Sequence, residues 1–284
     1  MIPAQFDYLA PSTVDEAITA LQQAGEDAKV LGGGQSMLPV LRMRLADPSV
    51  VVDLNRIPEL RGVREDGDRL VIGAMTTHHE IVRDPLVQQH AELIALATRT
   101  VADPQVRHRG TFGGALAHAD PAGDLPAPAL VLDAEMVLAG PGGRRTVPAR
   151  DFFADFFTTA LEPDEVLVEI RMPKWTGWSA HYEKFNRVAQ AWSMVGVAAA
   201  VRVQDGSIAE ARVGLTNMGP TPIRASGVEG ALVGQPATAE AITAAARHAT
   251  EGTSAPSDGS ADTDYREHLA QVLTGRAVAA AAGV

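Results

Sequence analysis

Apolar side chains recur at Val14, Ala17, Ile18 and Leu21, the spacing of one helix face, behind Thr13-Val14-Asp15-Glu16 and ahead of Gly25. A Thr followed three residues later by Glu forms a capping box, and a Gly after the last periodic position stops a helix. The pattern then changes. Ala28-Lys29-Val30-Leu31 and Val50-Val51-Val52-Asp53-Leu54 are continuous apolar runs of strand length. Between them lie Gly32-Gly33-Gly34-Gln35-Ser36 and a brief helical stretch. The first lobe is therefore predicted as strand, glycine turn, short helix and strand.

A second lobe begins near Pro58, with a strand over 69–74 after the turn Asp66-Gly67-Asp68 and a helix-rich stretch over 77–101. The segment 103–125 carries little period and is crowded with Gly, Pro, Asp and His. A helix over 124–133 tolerates Pro126 and Pro128 early in its course. A hairpin of 135–139 with 145–147 crosses Pro141-Gly142-Gly143, and a strand over 166–172 is closed by Pro173. Trp175-Thr176-Gly177-Trp178 reads as a linker. Strands are predicted over 181–185, 194–203 and 208–216, the last two joined at Asp205-Gly206. Helices follow over 240–250 and from Thr263 onward, separated by a loop over 254–260. The pattern describes an α+β fold in about three lobes rather than a regular βαβ array.

Composition narrows the chemistry. A chain of 284 residues with 46% hydrophobic and 21% charged residues has the balance of a globular protein with more than one core. A net charge of −11 without any basic block disfavours nucleic acid and anionic membrane as partners. No apolar run has the length of a bilayer span, and the first residues lack the basic-then-apolar order of a signal peptide, so a cytoplasmic location is expected. With 0 cysteines, the chain holds no disulfide, thiolate nucleophile, zinc–thiolate site or ordinary iron–sulfur cluster. Any redox carrier must be organic or lie on another chain.

Gly32-Gly33-Gly34 directly after a strand lets backbone N–H groups converge on an anion, or simply makes a tight turn. No Lys or Arg lies between Leu31 and Leu41, so anion binding there rests on main-chain dipoles and Ser36. A Rossmann motif gains support from Asp53 and loses it because Met37 occupies the third glycine position. A Walker loop fails for want of Gly-Lys-Ser/Thr. A second turn, Arg109-Gly110-Thr111-Phe112-Gly113-Gly114-Ala115, supplies further flexible backbone and a hydroxyl, and two such turns can clamp a pyrophosphate. Beyond it lie His118, Asp120 and Asp124, readable as acceptors for sugar or ribityl hydroxyls, as metal ligands, or for Asp124 as a helix N-cap. In His78-His79-Glu80 the adjacent rings diverge on a helix, so one of them is a surface or capping residue.

Taken in order, these pieces resemble the FAD-binding medium subunits of the molybdenum hydroxylases, the carbon monoxide dehydrogenase/xanthine dehydrogenase family. The resemblance is carried by Phe6-Asp7-Tyr8 with Pro11, Gly32 to Pro39, Val52-Asp53-Leu54-Asn55 and Gly73-Ala74-Met75-Thr76-Thr77-His78. It continues through Gly110 to Gly114, Ala119 to Pro126, Tyr182-Glu183-Lys184-Phe185, Gly214-Leu215-Thr216 and Gly219-Pro220-Thr221-Pro222. It implies a bipartite FAD-binding domain of the vanillyl-alcohol oxidase/PCMH type over 1–175, with lobes of about 1–57 and 58–175. A smaller C-terminal α/β flavoprotein domain over 176–284 follows.

By the same resemblance, Gly32, Gly33, Gly34, Gln35, Ser36 and Met37, with Thr111, Gly113 and Gly114, hold the pyrophosphate; Leu31, Leu38 and Thr76 are further cofactor-binding positions, and Ala115 lies on the wall of Asp124. Asp124 is expected on the flavin's hydroxyl-bearing chain or adenosine side, with His118 on the same wall. Leu167 and Lys184 match positions near the isoalloxazine, where a cation favours the anionic reduced ring; a solvated strand lysine is the competing reading of Lys184. Trp192 lies where relatives place an aromatic beside the flavin, with core packing as its alternative. Gln35, Phe112 and Ala115 depart from the residues common in relatives.

The function so implied is electron transfer: a large molybdopterin subunit oxidises substrate, a small [2Fe-2S] subunit relays electrons to FAD here, and an external acceptor removes them. A dimer of heterotrimers is the expected assembly. Two alternatives remain open, a stand-alone flavin-dependent reductase or oxidase and a non-enzymatic nucleotide-binding assembly factor. Tyr265, Leu269, Val272 and Leu273 on the last helix either dock partners or close that helix on its own core.

Overall fold

Each predicted element can be followed in the computed structural model, which describes residues 2–284. The first lobe contains β1 (Asp7–Leu9), α1 (Val14–Ala24), β2 (Ala28–Leu31), α2 (Met37–Arg42) and β3 (Val50–Asp53). Its strands form a parallel sheet in the order β1-β3-β2. Helix α1 begins where the Thr13 hydroxyl accepts the Glu16 N–H, and it buries Val14, Ala17, Ile18 and Leu21. The Glu16 carboxylate accepts from the Ser12 N–H at 2.7 Å, one residue earlier than a standard box requires.

The second lobe opens with β4 (Val63–Asp66) and β5 (Arg69–Gly73), then α3 (His78–Arg83), α4 (Pro85–His90), α5 (Glu92–Arg99), α6 (Pro104–Arg107), α7 (Phe112–His118) and α8 (Pro126–Val131). It closes with β6 (Glu135–Gly140), β7 (Gly143–Pro148), α9 (Ala149–Phe152), β8 (Phe153–Asp155), β9 (Thr158–Thr159) and β10 (Val166–Pro173). Five of these strands make an antiparallel sheet in the order β4-β5-β10-β6-β7. The stretch expected to be helix-rich is broken twice. Asp84 precedes a proline, which keeps it extended, and its carboxylate caps the next helix through Leu86 N–H and Val87 N–H. Ala91 makes the second break with φ −149°. The helix expected over 124–133 is only α8, because Asp124 is turned away from it and Leu125 occupies the N-cap without a side-chain bond.

The C-terminal unit has β11 (Ser179–Phe185), β12 (Val195–Gln204), β13 (Ser207–Thr216), β14 (Ile223–Arg224), α10 (Ser226–Leu232), α11 (Ala239–Ala246) and α12 (Thr263–Ala282). Its strands are antiparallel in sequence order. Strand β12 reads as nearly unbroken Val, Ala and Gly because both faces are covered. Ala198 and Ala200 pack into the second lobe, whereas Val195, Val197, Ala199 and Val201 meet α12 and its neighbours. The segment predicted as a linker is pinned instead: Trp175 Nε1 donates to Leu132 O at 3.0 Å, and the Trp175 and Trp178 rings meet edge to face.

Helix α12 closes its own core. Leu269 and Leu273 are buried among β12 and α11, and Tyr265 is exposed. Leu273→Ala is therefore expected to lower the unfolding free energy of the chain by about 2–5 kcal/mol. Val284→Ala at the exposed end should change it by less than about 0.5 kcal/mol. Urea unfolding of both variants checks this, and equal effects would contradict the packing.

Candidate cofactor-binding site

Strand β2 delivers the chain into the first glycine turn, and Leu31 still pairs with Asp53 across the sheet. The turn lies against the second one so closely that a Cβ on Gly33 would stand 2.0 Å from Arg109 O. Gly34 has φ +77°, which a side chain rarely tolerates. Among the described residues, the N–H groups of Gly33, Gly34, Gln35, Ser36 and Met37 have no hydrogen-bond acceptor. Within the turn, Gln35 Nε2 makes a 3.4 Å contact with Gly33 O. Such a run of free donors, in a segment with no carboxylate between Leu31 and Leu41, suits an anion such as a diphosphate.

Asp53 does not serve as a Rossmann-type ribose acceptor. Its carboxylate accepts from Tyr8 Oη at 2.5 Å and from both nitrogens of Asn55 at 2.9 Å. Asn55 Nδ2 in turn reaches Gly32 O at 3.5 Å, so this group anchors the turn from behind.

The second turn is built differently. Phe112 N–H donates to Thr76 O, Gly113 N–H to Ala74 O, and Gly114 N–H to the Thr111 hydroxyl. Its amides are thus largely engaged within the fold. Gly113 is small because a Cβ there would approach Ala74 Cβ at 2.5 Å. Thr76, 1% exposed, uses its hydroxyl on both backbone groups of Gly62 and faces no open space. Ala115 follows on α7, and Leu38 is exposed beside the first turn. His78 supports the second turn from below, with its N–H on Gly110 O and a buried Nδ1 that has no partner. Burial, aided by the Arg107 charge, lowers its pKa to about 4. His79, by contrast, stacks on His108 at the surface with ring centroids 3.8 Å apart.

Beyond α7, His118 Nε2 comes only within 4.0 Å of Asp120 Oδ2, and its ring tilts against Phe157. Burial lowers the His118 pKa and raises that of Asp120. Asp124 points elsewhere, so the three do not converge as metal ligands. Asp124 Oδ2 pairs with Lys184 Nζ at 2.7 Å, while Oδ1 accepts from Tyr182 Oη at 2.9 Å and Ser193 Oγ at 2.7 Å. Lys184 also donates to Thr100 O at 3.1 Å. Burial pushes the Asp124 carboxyl upward, against the pull of Lys184 and the two hydroxyls. Tyr182 is raised well above its ordinary value, first by burial and then by the Asp124 charge.

Neither competing reading of these residues describes them: Asp124 is no N-cap, and Lys184 is no solvated lysine. Leu167 is buried in the second-lobe core beside a β-bulge in β10. Trp192 is 55% exposed on the loop before β12, which excludes core packing for it. Sequence reasoning missed Ser193 and the part played by Tyr182. One signal was present for Tyr182, because it shares a strand face with Lys184 two residues on.

The site is a two-lobed unit with paired glycine turns, closed by a second sheet, whose free amides suit a diphosphate. Residues 4–175 match the family of FAD binding domains in molybdopterin dehydrogenase, and 180–281 match the CO dehydrogenase flavoprotein C-terminal domain. The chain belongs to the FAD-binding subunits of this family. It is 45% identical over 284 residues to the carbon monoxide dehydrogenase medium chain of Hydrogenophaga pseudoflava, covering 99% of this chain and 98% of that one. The solved carbon monoxide dehydrogenase of that organism superposes with a TM-score of 0.96 over 99% of this chain and 98% of that one, at 46% identity. Quinoline 2-oxidoreductase from Pseudomonas putida 86 also superposes with a TM-score of 0.96, at 34% identity and with 100% and 99% of the two chains covered.

His78 gives the site a pH dependence. In the native state it takes up a proton only near pH 4, whereas the unfolded chain does so near 6.5. Its contribution to stability is therefore complete above about pH 6.5 and falls as the pH drops through this window, by about 3 kcal/mol in full. Unfolding free energies measured between pH 4 and 7 should show this loss, and His78→Phe should flatten that part of the profile.

Proposed function

We propose that this chain is the electron-relay flavoprotein of a molybdenum hydroxylase assembled from a large molybdopterin-binding subunit, a small [2Fe-2S] subunit and this medium subunit, paired as a dimer of heterotrimers. The observation that carries the reading is the row of unengaged amides from Gly33 to Met37, set in a turn free of carboxylates. They are assigned to the FAD diphosphate, with Leu31, Gly32 and Leu38 shaping the same turn. Thr111, Gly113, Gly114 and Ala115 shape the facing wall, and the carbonyl of Thr76 holds that wall in place through Phe112. Asp124 and Lys184 are assigned to the flavin's hydroxyl-bearing chain and ring edge, with His118, Leu167 and Trp192 bordering that end. Bound FAD supplies the redox chemistry, accepting electrons from the partner's clusters and releasing them to an external acceptor.

Residues 1–175 are read as the unit that carries FAD, and 176–284 as the unit that closes over it. The absence of cysteine supports the division of labour, because the clusters must reside on a partner. Substrate is then selected on the molybdenum subunit. None of this chain's helices is long and apolar enough to cross a membrane among the described residues, and a cytoplasmic complex is part of the proposal.

The purified complex should release stoichiometric FAD on mild denaturation, and substrate should bleach its flavin absorbance only when all three subunits are present. Bleaching of the isolated chain by substrate, or rapid NAD(P)H oxidation by it, would refute the relay. Gly33→Ala places a methyl group 2.0 Å from Arg109 O. The turns must then separate, at a cost of about 1–3 kcal/mol, and FAD affinity should fall roughly ten- to hundredfold. Fluorescence titration of the apo-complex with FAD measures this.

A further inference from the structure

A carboxylate offers about four acceptor positions. At Asp124, two on Oδ1 are taken by Tyr182 and Ser193, and one on Oδ2 by Lys184. Lys184 Nζ has three protons, of which Asp124 and Thr100 O engage two. The remaining acceptor and donor capacity of this buried pair therefore lies together, on the Oδ2–Nζ edge. The Oδ1 edge is closed by two hydroxyls.

The Tyr182 hydroxyl comes from the C-terminal sheet and the Ser193 hydroxyl from the loop that leads into β12, and the sheet makes room for the tyrosine. Tyr182 and Lys184 project from the same face of β11, and their register partners on β12 are Ala198 and Gly196. A Cβ on Gly196 would stand 2.6 Å from Tyr182 Oη and 3.1 Å from Thr216 Cβ. Gly196 does not have a positive φ. Its smallness answers to the tyrosine hydroxyl and not to a turn. Ser193 is held in turn by Asn217, whose Nδ2 donates to Ser193 O at 2.8 Å and whose N–H donates to Pro121 O at 2.9 Å, on the loop that carries Asp124.

We infer that Tyr182, Ser193 and Gly196 are positioning residues for the cofactor: the two hydroxyls fix the rotation of the Asp124 carboxylate so that the Oδ2–Nζ edge is the one presented to the flavin, and Gly196 admits the tyrosine hydroxyl. The inference rests on the assignment of Asp124 and Lys184 to FAD. It distinguishes two roles for the same hydrogen bonds. If they only satisfied a buried carboxylate, losing one would cost stability and leave flavin binding as it is.

The test uses the whole complex, stripped of flavin and titrated with FAD, together with the visible spectrum and midpoint potential of the reloaded flavin. Tyr182→Phe and Gly196→Ala should each weaken FAD binding at least tenfold and shift the potential and the flavin bands. The glycine variant should do so although every hydroxyl is retained. Ser193→Ala should act in the same direction, and Ser193→Thr should restore the wild-type values. Ile242→Ala on α11 is the control, destabilised in the C-terminal core behind α12, and should keep the wild-type affinity and spectrum. Wild-type affinity and potential in Gly196→Ala and Ser193→Ala would overturn the inference, whether or not Tyr182→Phe folds. A wild-type complex that takes up no FAD would instead overturn the assignment beneath it.

Discussion

Two opposite charges 2.7 Å apart, Asp124 on the loop between α7 and α8 and Lys184 on β11, lie with side chains only 3% and 6% exposed. Removing such groups from water costs several kcal/mol each, and their mutual attraction offsets that only when further hydrogen bonds complete both partners. Here Tyr182, Ser193 and the Thr100 carbonyl do so. A pair of this kind adds little net stability over a hydrophobic contact of equal volume, yet losing one member leaves an uncompensated charge. Its effect is positional. The pair ties β11 of the C-terminal sheet to the second-lobe loop that carries Asp124.

The two glycine turns divide another task. Each has a glycine-rich sequence ahead of a short helix, yet the first has free amides and the second has amides bound to Thr76, Ala74 and Thr111. In the second turn the missing side chains at Gly110 and Gly113 allow close approach to His78 and Ala74. The second turn is therefore a rigid template against which the first is held. An anion bound by main-chain dipoles on such a template needs no lysine or arginine.

Much of this was legible in the sequence where a local signal governs local structure. The periodicity of α1, the Asp205-Gly206 hairpin and the strand-to-glycine transition at Leu31 are of that kind. The α+β class and the order of lobes followed from them. Within the helix-rich stretch the break at Asp84 is also local, set by Pro85 beside it. What escaped in the site depended on partners distant in the chain. Asp53, Thr76 and Asp124 each have a side chain suited to a ligand or a cap, and their actual partners lie at Tyr8, Gly62 and Tyr182. No residue spacing encodes those pairings. Lys184 is buried against a carboxylate that its sequence neighbours do not announce.

Strand β12 extends these constraints to the far end of the molecule. Its Ala198 and Ala200 face the second lobe, and its valines face α12, so displacement of the helix must be felt on the cofactor side. The connection is also polar. Arg266 of α12, 1% exposed, donates to Met194 O and forms a 2.7 Å pair with Asp258. Asn217 reaches the neighbouring Ser193 carbonyl and, at 3.3 Å, the same Met194 oxygen. A guanidinium and an amide thus hold the backbone that carries the Ser193 hydroxyl toward Asp124. A buried arginine gives directed hydrogen bonds that an apolar side chain of the same volume would not provide. The last helix therefore serves the site by fixing the start of β12 in direction as well as in depth.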